Sequence, residues 1–309
     1  MNWIYIFISS LSFGFVVKKL FRIKNQNFTI HHILGLFSIS IFSWIFAVFF
    51  PLNILFYSIM FSVTFFGLLT NKKEVKKHFQ LLKKDWLPLG KVYKMGFLFI
   101  FITSLAMSST VPSIFDNESY YIQTIKWLNE FGLVKGLGNL HIFFAQTSSW
   151  HILQASFTFP FLEISFNDLN GYLLVVFSIF CFQKLQEFRQ TKKGYDLYMG
   201  TVLISLPFFI FFLNAPSPDL PVFLISQLLF YLFIKNYKAV DSSQFRIILL
   251  LAIFLFVIKI TTCVLLLLPI ILLLKHYTIL KSKLIKPLLV SFLVAILFLV
   301  KNVVLTGYL

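Results

Sequence analysis

Long unbroken apolar runs, separated by short clusters of lysine and arginine, repeat from one end of this chain to the other. Between Lys24 and Lys72 there is no Lys, Arg, Asp or Glu. The runs are continuous rather than alternating, so they do not fit barrel strands, and in hydrocarbon only helices or closed barrels satisfy their own backbone. The pattern predicts an all-α polytopic membrane protein with about ten transmembrane helices, each near the ~20 residues a span needs. They fall at about 2–17, 30–50, 52–70, 95–110, 168–183, 197–213, 220–234, 246–258, 262–274 and 287–305.

The basic residues orient these spans. Lys18, Lys19, Arg22 and Lys24 follow the first. Lys72, Lys73, Lys76, Lys77, Lys83, Lys84, Lys91 and Lys94 follow the third. Lys184, Arg189, Lys192 and Lys193, then Lys235, Lys238 and Arg246, then Lys275, Lys281, Lys283 and Lys286 mark the later loops on the same side. Of the 27 Lys and Arg, only Lys126, Lys135, Lys259 and Lys301 fall on the other side. Cytoplasmic loops carry the excess of positive charge, so this split places both termini outside. The basic segment Lys72–Lys94 suits either anionic lipid or solvent.

The same parity makes 111–167 an external loop. The apolar piece His151–Leu162, at roughly 12 residues, is too short to cross. It is expected to lie in the interface or dip into it, ending near Pro160. Tyr121, Ile122, Ile125 and Leu128 share one helical face, which predicts a short amphipathic helix over 117–131 stopped by Gly132. The chain thus divides into a three-helix segment, 1–94, and a membrane core, 95–309, with its external loop carrying interfacial helices.

Composition agrees. Of the 309 residues, 59% are hydrophobic and 12% charged, with 42 Phe, against about 25% charged in soluble domains. The net charge of +16 would suit nucleic acid in a soluble protein. Here it is spread over short loops, so the expected partner is membrane lipid and no nucleic acid. Cys181 and Cys263 lie in apolar runs and read as small buried hydrophobes. His31, His32 and His78 fall on the cytoplasmic side and read as loop residues.

Chemistry is expected among the few external polar groups. The external acids are Asp116, Glu118, Glu130, Glu163, Asp168 and Asp219; Glu74, Asp85, Glu187, Asp196 and Asp241 are cytoplasmic. Asp116 stands where a helix N-cap belongs, and also where a general base for an acceptor hydroxyl would stand. Asp116, Glu118 and Asp219 are the candidate ligands of a divalent cation. Asp219, in Asn214-Ala-Pro-Ser-Pro-Asp-Leu-Pro, is either turn chemistry or an acid at the membrane surface. Lys259 is the only charge in residues 247–274, and a cation there either snorkels or meets an anionic phosphate. Asn139 and His141, beside Gly136 and Gly138, either order their loop or contact a sugar.

Four features in order carry a resemblance. Asp116 opens the large external loop. An aromatic-tipped stretch follows at Ser149-Trp-His-Ile-Leu-Gln-Ala-Ser-Phe. Asp219 sits in a short external turn, and Lys259-Ile-Thr lies at a helical hairpin. With Ile125-Lys-Trp-Leu and Gly136-Leu-Gly-Asn-Leu-His, the chain over about 95–309 resembles the C-type integral-membrane glycosyltransferase superfamily, in its bacterial envelope-polysaccharide branch. The resemblance implies a polyprenyl-phosphate sugar donor and inverting transfer outside the bacterial cytoplasmic membrane. Asp116 would be the base, Asp219 would support substrate or metal, and Lys259 would face donor phosphate. The superfamily's Asp-Glu or Glu-x-Asp pair is replaced here by Asp116-Asn117-Glu118, and the end at Thr306-Gly-Tyr-Leu implies a truncated chain. The alternatives are a lipid-linked glycan flippase or transporter, a polysaccharide polymerase, and a non-catalytic scaffold. A transporter calls for interrupted spans and intramembrane ionisable residues, and the sequence displays neither.

Overall fold

The computed structural model describes residues 2–24, 27–162, 166–281 and 284–308; Glu163 and Lys283 lie outside the described residues. Every predicted apolar run is helical. The main helices are α1 Asn2–Leu20, α2 Phe28–Phe49, α3 Ile54–Thr70, α4 Lys72–Trp86, α5 Lys91–Ser108, α6 Ile122–Glu130, α7 Ser149–Ala155, α8 Asp168–Thr191, α9 Gly194–Asn214, α10 Asp219–Asn236, α11 Ser242–Ile258, α12 Ile260–Lys275 and α13 Ile285–Thr306. Seven of them are long and apolar enough to cross a membrane, or eight if α3 and α4, bent by 83°, form one broken span. That is fewer than ten, because α3, α11 and α12 stop short. A 17-residue helix rises only about 26 Å against a hydrocarbon core of about 30 Å.

Local chemistry sets the helix ends. Asn27 caps α2 by accepting from Ile30 N at 3.1 Å, Asn53 caps α3, and the Asp241 carboxylate takes Ser243 N and Gln244 N at 2.6 and 2.9 Å to open α11. Gly132 and Gly307 end α6 and α13 with φ of 77° and 81°, the left-handed cap glycine tolerates best. Helix α4 puts Val75, Phe79, Leu82 and Trp86 along one side, with lysines around the rest. Its sharp turn from α3 and its amphipathic face suit a helix lying along the bilayer surface.

The core is built on close backbone approach. At Gly35 an added Cβ would lie 1.9 Å from the Ser10 carbonyl oxygen, so α1 and α2 meet with no room for a side chain. Helix α8 is buried continuously from Leu169 to Lys184 and packs against α1, α2, α5, α9 and α10. Thr29 Oγ1 donates to Val176 O at 2.7 Å across this interface.

The polar ends segregate. Lys18–Glu74 and Lys184–Glu187 ion pairs, Lys24 N to Ser243 Oγ, Arg246 Nη1 to Phe21 O and Lys286 Nζ to Leu20 O gather the basic loops at one end. At the opposite end Asn2 donates to Phe157 O and Asp168 Oδ2, and Gly136 N donates to Val304 O, so both termini lie with the 111–167 loop.

Three expectations change, and one is decided between its alternatives. His31, His32 and His78 are not loop residues: they are buried in α2 and α4, with ring centroids 4.6–5.9 Å apart. Cys181 is buried as expected, but Cys263 is exposed. Of the two placements expected for the segment from His151, the structure has the dip: Ser149 through Thr158 are all buried, and a turn follows at Pro160. Two spans are interrupted: α9 alternates α and 3-10 turns, and α12 begins with the 3-10 stretch Ile260–Leu266. No periodicity marks these breaks, because both segments are apolar on every side.

Candidate functional site

The loop-bearing end encloses a cavity of about 420 Å³, lined from α7, the segment before it, the Pro218 turn, the α11–α12 junction and α13. Of the residues predicted from sequence, Lys259 lines it, and the acids Asp116 and Asp219 stand outside the lining, near its Tyr120 and Tyr121. Asp219 is the first residue of α10, and its Oδ2 accepts from Ser217 Oγ at 3.2 Å. Its Oδ1 forms an ion pair with Lys259 Nζ, so Lys259 is not a lone cation. Lys259 stands where α11 ends in extended backbone, and its carbonyl accepts from Thr262 N and Thr262 Oγ1 at 3.0 and 2.8 Å. Thr261 lines the cavity.

Asp116 caps nothing. It precedes a π-turn, Asn117–Tyr121, and makes no side-chain cap bond. Its Oδ2 instead faces Tyr121 Oη at 3.5 Å. Tyr120 and Tyr121 line the cavity, with ring centroids 4.4 Å apart, and Tyr121 packs on His151 at 4.9 Å. Burial, opposed by a hydrogen bond with Tyr121 and helped by the charges of Asp116 and Asp219, pushes the Tyr120 hydroxyl's pKa up. Asp116 therefore sits at the rim, half-buried, one side chain away from the lining. π-Turns inside helices occur frequently at functional sites.

The other predicted residues lie apart. Glu118, Asn139 and His141 are exposed and do not line the cavity. The Gly136–His141 turn instead packs on the end of α13: an added Cβ at Gly138 would lie 3.0 Å from Leu305 O. Loop ordering accounts for this cluster. Among the described residues no group of three or more His, Cys, Asp or Glu is placed to hold a metal ion, and no step proposed below runs through one.

Several site residues are invisible in the sequence. Lys301 looks like a lysine near a helix end, yet it is buried in α13 and donates to Thr147 O at 3.1 Å. His151 is buried with its Nδ1 facing Ser148 N at 3.5 Å, and burial, with Lys301 nearby, lowers its pKa to about 3. Asn170 is the hub beneath the site. Its Nδ2 lies 2.8–3.0 Å from Phe212 O, Ala215 O and Ser217 O, sharing its two hydrogens among the three, and its Oδ1 accepts from Trp150 Nε1 at 2.8 Å. Asn214 ties the same turn to Val111 O and Ser113 Oγ, which brings the Asp116 and Asp219 loops together. Asn170→Ala strands buried carbonyls and an indole N–H, at about 1–3 kcal/mol per orphaned group. The expected result is a fall of several degrees in the midpoint of thermal unfolding in detergent, with Asn170→Asp intermediate.

Beside the cavity, on the far side of the Asn214–Leu220 turn, an apolar groove of about 540 Å³ runs between α5, α8 and the interrupted α9. It reaches from Gly96 and Gly200 at the basic end to Leu213 and Leu220 at the site end. Comparison with known proteins supplies no neighbour: no curated protein and no solved structure matches the chain. A family model does match, over residues 1–309, and the chain belongs to that family, described as Domain of unknown function (DUF8201).

Proposed function

We propose that this protein transfers a sugar from a polyprenyl-phosphate donor on the outer face of a bacterial cytoplasmic membrane, in envelope polysaccharide or glycolipid synthesis. In this reading the three shorter helices complete ten passages, the basic end is cytoplasmic, and both termini are outside. The observation that carries it is that Asp116, Asp219 and Lys259, far apart in sequence, come near one another at a cavity that Lys259 lines, in a molecule that also has an apolar groove. Polar headgroup chemistry suits the cavity, and a lipid chain suits the groove. The resemblance to the C-type glycosyltransferase superfamily points the same way.

The proposed step is an inverting displacement. Asp116 takes the proton of an acceptor hydroxyl as its oxygen attacks the sugar C1. The bond from C1 to the phosphate oxygen breaks, and its electron pair leaves with the phosphate, whose charge Lys259 offsets. Asp219 holds Lys259 in place.

The interrupted helices favour a second reading, transport of a lipid-linked glycan, because broken spans lining a cavity are a transporter device. Proteoliposomes holding the purified protein and a polyprenyl-phosphate sugar separate the two. Protein-dependent release of polyprenyl phosphate on adding acceptor supports transfer. Movement of the lipid between leaflets without release favours transport.

A further inference from the structure

Lys301 is 5% exposed, and none of the ion pairs among the described residues includes it. Its ammonium group has three hydrogens to donate, and Thr147 O takes one at 3.1 Å; the Phe298 ring lies 4.9 Å away on another side. A buried cation left with one carbonyl and one ring is costly in a membrane protein, and such residues mark ligand pathways. The cavity supplies the remaining direction, since Lys301 and Asn302 both line it.

His151 completes the arrangement. It is 2% exposed and lines the same cavity. Because its Nδ1 faces a backbone N–H, the neutral ring carries its proton on Nε2, and Nε2 is buried without a partner. An ammonium and an imidazole N–H, both buried and both short of acceptors, thus share one cavity. The neighbouring Lys259 already has Asp219 as its counter-charge and, in the transfer reading, meets only the charge that develops on the leaving oxygen, so Lys301 alone gives the resting lining one uncompensated positive charge.

We propose that Lys301 and His151 form a built anion subsite, separate from the Asp219–Lys259 pair, that takes the single negative charge of a phosphodiester. The ligand's identity as the lipid-linked donor rests on the transfer reading; the subsite itself does not. Lys301 is the charge partner, and His151 donates the second hydrogen bond. A phosphodiester, unlike a diphosphate, brings one charge to a lining that has one to offset.

The test is thermal unfolding of the full chain in detergent, with dihexanoylphosphatidylglycerol or inorganic phosphate as the probe. The wild type is expected to gain about 5 °C at a hundredfold excess of the lipid over its Kd. Lys301→Met should unfold no lower than the wild type without ligand and lose the gain; Lys301→Arg should keep it, and His151→Gln should keep less than half. An equal gain with inorganic phosphate supports the subsite and assigns free phosphate as its ligand. No gain in the wild type with either probe overturns the proposal. So does an undiminished gain in Lys301→Met with a lowered midpoint, which makes Lys301 structural. If Lys301→Met fails to accumulate, a gain that is equal in Lys301→Arg and His151→Gln overturns it. Loss of the subsite with protein-dependent sugar release intact would leave the transfer reading standing.

Discussion

Replacing Lys259 with Met, or Asp219 with Asn, is expected to lower product formation by roughly 10²–10³-fold while the thermal midpoint stays within a degree or two of wild type. The two effects separate because of where the pair sits. Its side chains are 42% and 33% exposed, and an ion pair that wet contributes only about 0–1 kcal/mol to stability. Losing the pair should therefore cost the fold little. The reciprocal exchange, Asp219→Lys with Lys259→Asp, restores the pair but moves the cation to another helix end. Product formation should stay low in it. Recovery would mean that the pair only staples α10 to the α11–α12 junction.

A large effect on packing is expected at Gly35. Its missing side chain lets α2 lie against the α1 backbone, and the atom an added Cβ would strike, Ser10 O at 1.9 Å, cannot rotate away. The helices would have to separate by more than 1 Å, disturbing the bonds of Ser10 Oγ to His32 Nδ1 at 2.7 Å and to Tyr172 Oη at 3.0 Å. Overpacking of this kind costs about 1–3 kcal/mol and occasionally more. Gly35→Ala should leave little monodisperse protein in size-exclusion chromatography. Gly194→Ala, where an added Cβ meets nothing within 4 Å, should behave as wild type.

The contrast between these positions explains how far sequence reasoning reaches. Long apolar runs dictate helices because the bilayer leaves few other solutions, and the clustering of lysines between runs is matched by their gathering at one end of the bundle. The short amphipathic helix before Gly132 was also legible, since Tyr121, Ile125 and Leu128 do face inward. What periodicity cannot supply is which face of an all-apolar helix meets which neighbour. Lys301 reads as a terminal lysine until α13 is seen against the loop at Thr147. His31, His32 and His78 read as loop histidines until α4 folds back over α2. Asn170, one asparagine near a helix start, holds three carbonyls that are distant in sequence. The acids stood out because they were few; the polar groups bonded around them were hidden among ordinary residues.

In the proposed transfer Asp116 is the base at the outer face, and its lack of any capping bond removes the structural duty the sequence suggested for it. Envelope-glycan profiling of a deletion strain, complemented with wild type or Asp116→Asn at matched membrane levels, tests this most directly. A glycan band restored by the wild type is expected to be absent with Asp116→Asn. An unchanged profile with Asp116→Asn would contradict it and put transport or scaffolding ahead of sugar transfer.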